Sequence, residues 1–174
     1  MKKVTVAILF LCLCLIYVSS CSSKTVESSS ERTTDVYKFL GEYAYDSPLV
    51  AFVFEPVEGE DESGIQYRKV TDIDGLMRSG VTLLLYFTSS MSTDMDGITA
   101  GAEDIAQNTW GKVIVLMIDV LENKDLASQF NIEQVPEFVI VRSSDEISRF
   151  EGYNHDIWTI NEVTAWLKSN GIEV

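Results

Sequence analysis

Cysteine is absent from residue 22 to the end of this 174-residue chain; its three cysteines, Cys12, Cys14 and Cys21, all lie near the start. A segment without cysteine forms no disulfide and no thiolate metal site. It also runs no thiol–disulfide exchange, because that chemistry needs a thiolate to attack sulfur. Positive charge is scarce as well: 13 Lys and Arg face 27 Asp and Glu, for a net charge of −14. A field of that sign repels nucleic acid and anionic lipid headgroups. Nucleic-acid binding is therefore set aside, and most of the charge is read as a solvated surface. Histidine occurs once, at His155. What is plentiful is apolar residues, at 46%, enough to build a core for one domain with a short extension.

The only long apolar run is Val4–Tyr17, interrupted by Thr5 and preceded by Lys2 and Lys3. It falls short of the roughly 20 apolar residues that a mature spanning helix needs. Small residues follow, Ser19, Ser20 and Cys21, which is the layout of a secretory signal peptide. Val18-Ser19-Ser20-Cys21 resembles a bacterial lipobox. That resemblance implies cleavage before Cys21 and a lipid on its sulfur, with each buried CH₂ contributing roughly 0.8 kcal/mol to membrane binding. The expected location is extracytoplasmic, anchored to a bacterial membrane through Cys21. Cys12 and Cys14 leave with the leader and read as small hydrophobes. Cleavage would also remove Lys2 and Lys3 and no acid, taking the net charge from −14 to −16.

Composition marks a leader over 1–20 and a lipidated Cys21 with its tether over 21–34; a resemblance given below divides the rest into a helix–strand extension over 35–64 and the main domain over 65–174. Residues 22–34 are Ser-, Thr- and charge-rich, with Val26 the only large apolar side chain, too little to order a segment. Val36, Phe39, Leu40 and Tyr43 fall at helical spacing, so the sequence predicts a short amphipathic helix over 35–45 capped by Thr34 or Asp35. Strands are expected at 49–54 and 65–70, paired as a hairpin around an acidic loop. The loop acids Glu55, Glu58, Glu60, Asp61 and Glu62 lack the ordered spacing of a calcium loop. Helix is then expected at 72–79, strand at 81–87, helix at 97–109, strand at 113–120 and helix at 123–130. Strands at 137–142 and 147–151 and a last helix at 160–168 complete the chain. That order predicts an α/β fold of three layers, a mixed central sheet with helices on both faces.

Over residues 65 to 172 the chain resembles thioredoxin. Leu83-Leu84-Leu85-Tyr86-Phe87 is similar to the central strand that leads into that family's active site. Ala106–Lys112 is similar to the helix end and turn that follow. Ile118-Asp119-Val120, Glu122-Asn123, Leu126-Ala127, Phe130 and Ile132 match the next strand and helix. Val135-Pro136 falls where the family has a cis-proline, and Gly152 where it has a loop glycine. Gapless placement lays Ser92-Thr93-Asp94-Met95 over the family's Cys-Gly-Pro-Cys. Ser92 then stands at the nucleophile and Met95 at the resolving thiol. Met91 replaces the usual tryptophan, Tyr86 the buried acid of the central strand and Met117 its lysine partner. A slip of one residue would put Met91 and Asp94 on the cysteine positions and restore no thiol.

The resemblance thus implies a redox-inactive member of the family with no catalytic residue, no cofactor and no metal. The physical reason is independent of it: a serine hydroxyl needs an activating base, and a thioether forms no disulfide. The family's peptide groove would here be lined by Met91, Ser92, Val135, Pro136 and Tyr153. Backbone at the proline loop can pair with an extended segment, and methionine offers an adaptable apolar contact. The expected function is non-catalytic binding of protein segments, or a chaperone-like role, with an envelope protein or extended peptide as partner. A competing reading makes Met91 and Met95 packing for a helix start. A second class is a structural or assembly part of an envelope complex, contacting through Trp110, Trp158 or Trp166. A remote third is a serine hydrolase built from Ser92, His155 and Asp156, although no Gly-x-Ser-x-Gly elbow is present.

Overall fold

The structure is a computed structural model, and it describes residues 35–92, 96–150, 152 and 158–174. A single 3-10 turn at Tyr37–Phe39 leads into seven strands: β1 (Leu40–Tyr43), β2 (Leu49–Pro56), β3 (Ser63–Val70), β4 (Thr82–Thr88), β5 (Val113–Asp119), β6 (Glu137–Arg142) and β7 (Asp145–Phe150). Among the described residues four helices punctuate them: α1 (Ile73–Arg78), α2 (Asp96–Thr109), α3 (Lys124–Gln129) and α4 (Ile160–Ser169). All strands join one sheet in the order β1-β3-β2-β5-β4-β6-β7. Only the central pair β4–β5 is parallel, and every other neighbouring pair is antiparallel.

The centre of the sheet is buried on both sides, which is why its strands read as continuous apolar runs. Alternation then divides each strand between two cores. Leu83, Leu85 and Phe87 of β4, with Ile114, Leu116 and Ile118 of β5, pack against Leu76 and Met77 of α1 and Leu126 of α3. Leu84 and Tyr86, with Val113, Val115 and Phe138, pack on the opposite side against Ala102, Ile105 and Ala106 of α2 and Val163 and Leu167 of α4. The three-layer α/β arrangement with a mixed sheet is the one the element order implies.

The helix expected over 35–45 is the main correction. Only Asp35–Phe39 is helical; from Leu40 the chain is extended and pairs with β3, Leu40 opposite Val70 and Tyr43 opposite Arg68. The i, i+3, i+4 spacing is real but short, and sheet hydrogen bonds outweigh a helix of marginal length. Val36 is buried, Phe39 and Leu40 pack at the core's margin, and Tyr43 is exposed. The β2–β3 hairpin is as expected, but β2 also pairs with the central strand β5. The 64/65 division therefore falls inside β3, and residues 40–56 share the sheet with the rest. Within the acidic loop Glu55 is committed to a contact inside the fold, since Arg68 Nε donates to its carboxylate at 2.8 Å. Among the described residues no group of three His, Cys, Asp or Glu is arranged to hold a metal ion, and no helix is long and apolar enough to cross a membrane.

Candidate functional site

The candidate site forms where β4 and β5, running parallel, end together. Outside the carboxyl ends of such strands the loops diverge and leave a crevice. Here the crevice is organised by Asp119, the last residue of β5. Its carboxylate accepts from the backbone N–H of Ser90 at 3.2 Å and of Leu121 at 2.9 Å. The N–H of Val120 donates to Thr88 O at 3.0 Å, so the two strand-end loops are tied to each other. The loop after β4 then turns tightly, with Ser92 N–H donating to Ser89 O at 3.0 Å and Met91 N–H to Ser89 Oγ at 3.2 Å. The segment before β2 closes over this end: Asp119 N–H donates to Pro48 O at 2.8 Å, and Asn123 Nδ2 donates to the same oxygen at 2.9 Å.

Between these parts lies an open cavity of about 730 Å³. Its lining includes Tyr45–Pro48, Tyr67 of β3, Thr88–Ser90, Ser92, Thr99 of α2, Met117, Asp119 and Glu122. Tyr86, at the position that the resemblance gives to a buried acid, is fully buried, and its hydroxyl shares a hydrogen bond of 3.2 Å with Thr99 Oγ1. Burial raises its pKa above the ordinary tyrosine value of 10, outweighing hydrogen bonds that lower it, so it is a neutral phenol at physiological pH. Tyr67 is raised further, first by burial and then by its hydrogen bond to the Glu103 carboxylate. Met117 lines the cavity with a thioether where the resemblance implies a lysine.

The second half of the expected groove is the proline loop. The Val135–Pro136 peptide bond is cis. Phe87 is the last residue of β4 registered with β6, opposite Glu137, so Pro136 lies beside Thr88 at the same end of the sheet as Met91 and Ser92. Val135 packs against the α1–α3 core, and Pro136 is half-buried. Met91 is 81% exposed. That overturns the reading in which Met91 packs a helix start. Ser92 is half-buried and turns to the cavity. Thr93, Asp94, Met95, Tyr153, His155 and Asp156 lie outside the described residues, as does Cys21, so the Tyr153 edge of the groove and the Ser92–His155 pairing have no geometry to report.

The tryptophans are engaged internally. Trp166 Nε1 donates to Ser148 Oγ at 3.0 Å, and Trp158 packs edge-on against Phe138 and Phe150 at 6.3 and 5.3 Å. Trp110 packs at the margin of the α1–α3 core. None of the three is among the exposed large apolar residues of the described chain, which are Tyr43, Tyr45, Met91, Leu121 and Ile147. Sequence reasoning missed the 45–48 wall, Tyr67, Thr99 and Glu122. Tyr45-Asp46-Ser47-Pro48 carries turn chemistry and was the one available signal. The pairing of β2 with β5, which swings this turn over the strand ends, has no mark in local sequence.

A sheet with helices on both faces and a cis-proline loop beside the end of its central strand defines a thioredoxin-like α/β domain. The model of the Thioredoxin family matches residues 74–164, just over half of the chain. The chain belongs to the thioredoxin family. It is 30% identical over 78 residues to Thioredoxin H-type from Fagopyrum esculentum, covering 45% of this chain and 66% of that protein. It is 30% identical over 54 residues to Thioredoxin-T from Drosophila melanogaster, covering 31% and 34%. The chain thus spans less than two thirds of the length of either relative. Among solved structures it is similar to a single-substitution mutant of thioredoxin from Halobacterium salinarum, with 21% identity, a TM-score of 0.49, and 60% of this chain and 86% of that one covered.

Proposed function

We propose that this thioredoxin-family chain works without thiol chemistry, as a non-catalytic module that binds extended protein segments and is held at the outer face of a bacterial membrane by a lipid on Cys21. The observation that carries the reading is a pairing: no cysteine occurs beyond Cys21, while a half-buried Pro136 beside Thr88 and an 81% exposed Met91 stand together at the end of β4. An exposed methionine is a flexible apolar contact, and an extended segment would pair with backbone at the proline loop by strand addition. A peptide array probed with the full chain in mild detergent tests this. Bound peptides are expected to be lost in Met91→Asp and weakened in Pro136→Ala; retention of every bound peptide by both variants overturns the reading. The anchor is tested separately by metabolic labelling with an alkynyl fatty acid. Label is expected on the wild-type chain and absent from Cys21→Ser, and equal labelling of both removes the anchor from the account.

A further inference from the structure

The cavity behind Ser92 is distinct from the surface around Met91 and Pro136, and neither of those two residues lines it. Its volume of about 730 Å³ lies within the range of pockets that hold small organic ligands. Its chemistry is one-sided. Among the described residues the charged groups on its wall are the three carboxylates of Asp46, Asp119 and Glu122, and no Lys, Arg or His lines it. Asp119 is occupied by two backbone N–H groups. Asp46 and Glu122 are exposed on the rim, and neither side chain has a hydrogen bond or ion pair among the described residues.

The aromatic wall is a separate feature. The rings of Tyr45 and Tyr67 lie 5.2 Å apart, tilted by 38°. Both are held in place at their hydroxyls: Tyr45 Oη donates to Gln66 Oε1 at 2.8 Å, and Tyr67 Oη donates to the Glu103 carboxylate. The ring of Tyr67 is further fixed by stacking on Phe52 at 4.7 Å. Six Ser and Thr residues, Ser92 and Thr99 among them, complete the lining with Pro48 and Met117. An anion would meet only like charge here. A neutral apolar molecule would leave the rim carboxylates unused and shed water from the hydroxyls without return. A compact organic cation suits this lining: the exposed ring of Tyr45, backed by Tyr67, attracts it, hydroxyls accept from its N–H groups, and the rim carboxylates of Asp46 and Glu122 draw it in, in a chain already strongly negative.

We propose that this cavity is a binding site for an organic cation, an alkylammonium or guanidinium group. Two sources share that chemistry: a free aliphatic diamine, or a Lys or Arg side chain on a peptide. The site is built by the 45–48 wall, Tyr67 and the loops after β4 and β5; it shares Ser92 with the expected peptide groove but includes neither Met91 nor Pro136.

Isothermal titration of the full chain in mild detergent tests the site with four probes: 1,5-diaminopentane, an acetylated Gly-Lys-Gly amide, 1,5-pentanediol and glutarate. At least one cationic probe is expected to bind, and the diol and glutarate are not. Binding of the diamine assigns the site to free amines, and binding of the peptide alone assigns it to a basic side chain; either result supports the proposal. Asp46→Asn combined with Glu122→Gln replaces two exposed rim residues and is expected to weaken the cation about fivefold or more. Tyr45→Ala should weaken it by a similar factor with the carboxylates intact. No heat with either cation at millimolar concentration, equal binding of diol and diamine, or unchanged affinity in the double rim variant would each overturn it. Met91→Asp is expected to keep cation affinity, so loss of peptide capture and loss of cation binding report on different sites.

Discussion

Gly152 has no room for a methyl group. A Cβ built there would sit 2.3 Å from both Cε2 and Nε1 of Trp158, and that ring is wedged against Phe138 and Phe150, so it cannot yield cheaply. Gly152→Ala is therefore expected to cost about 1–3 kcal/mol by overpacking, read as a lower urea midpoint at unchanged slope; an unchanged midpoint would show that the indole moves aside. Tyrosine ionisation makes a second single-residue claim. Burial, and for Tyr67 the neighbouring Glu103 carboxylate, raises the hydroxyl pKa of Tyr67 and Tyr86 above 10 in the fold. The folded chain holds these protons more tightly than the unfolded one, so the stabilising contribution is complete below pH 10 and is lost as pH climbs through the folded values. Denaturant unfolding should show stability falling above pH 10, and Tyr67→Phe should make that decline shallower. An equally steep decline in Tyr67→Phe would remove Tyr67 as a contributor.

Among the elements, α4 shows how much local sequence can carry. Thr159 and Glu162 form a reciprocal cap: Thr159 N–H donates to the Glu162 carboxylate at 2.8 Å, and the Thr159 side chain accepts from the first turn. Thr159→Ala should cost about 1 kcal/mol, seen as a lower melting temperature; no change would mean that tertiary packing of Val163 and Leu167 fixes this end unaided. The start of α1 is fixed in a similar way, since Asp72 caps the helix by accepting from Gly75 N–H at 2.7 Å. The strands β4, β5 and β6 were legible from apolar runs too short for helices and bounded by polar turns. Residues 35–45 were not, because Val36, Phe39, Leu40 and Tyr43 satisfy a helical period and a bent edge strand equally well. What decides between them is the row of backbone partners offered by β3, a non-local fact. The candidate site divides along the same line. The resemblance placed Met91, Ser92, Val135 and Pro136 at one strand end, and of these only Ser92 lines the cavity, whereas the Tyr45–Pro48 wall was hidden behind the pairing of β2 with β5.

For the molecule as a whole, that pairing makes the N-terminal strands part of the fold. Leu49–Phe52 registers with Val115–Ile118, and Val50, Ala51, Phe52 and Val53 are fully buried. A fragment limited to residues 65–174 would leave the edge of β5 unpaired and lose the buried side chains of β2 from both cores, and it is expected to lose cooperative thermal unfolding. A sharp calorimetric transition in that fragment would show that the hairpin is an appendage. The proposed function has this thioredoxin-family domain, which carries no cysteine beyond Cys21, act by contact alone. Insulin reduction by processed protein purified from membranes tests it most directly. The account predicts that insulin B-chain precipitates under dithiothreitol at the rate of the protein-free control; a rate that rises with added protein would contradict it.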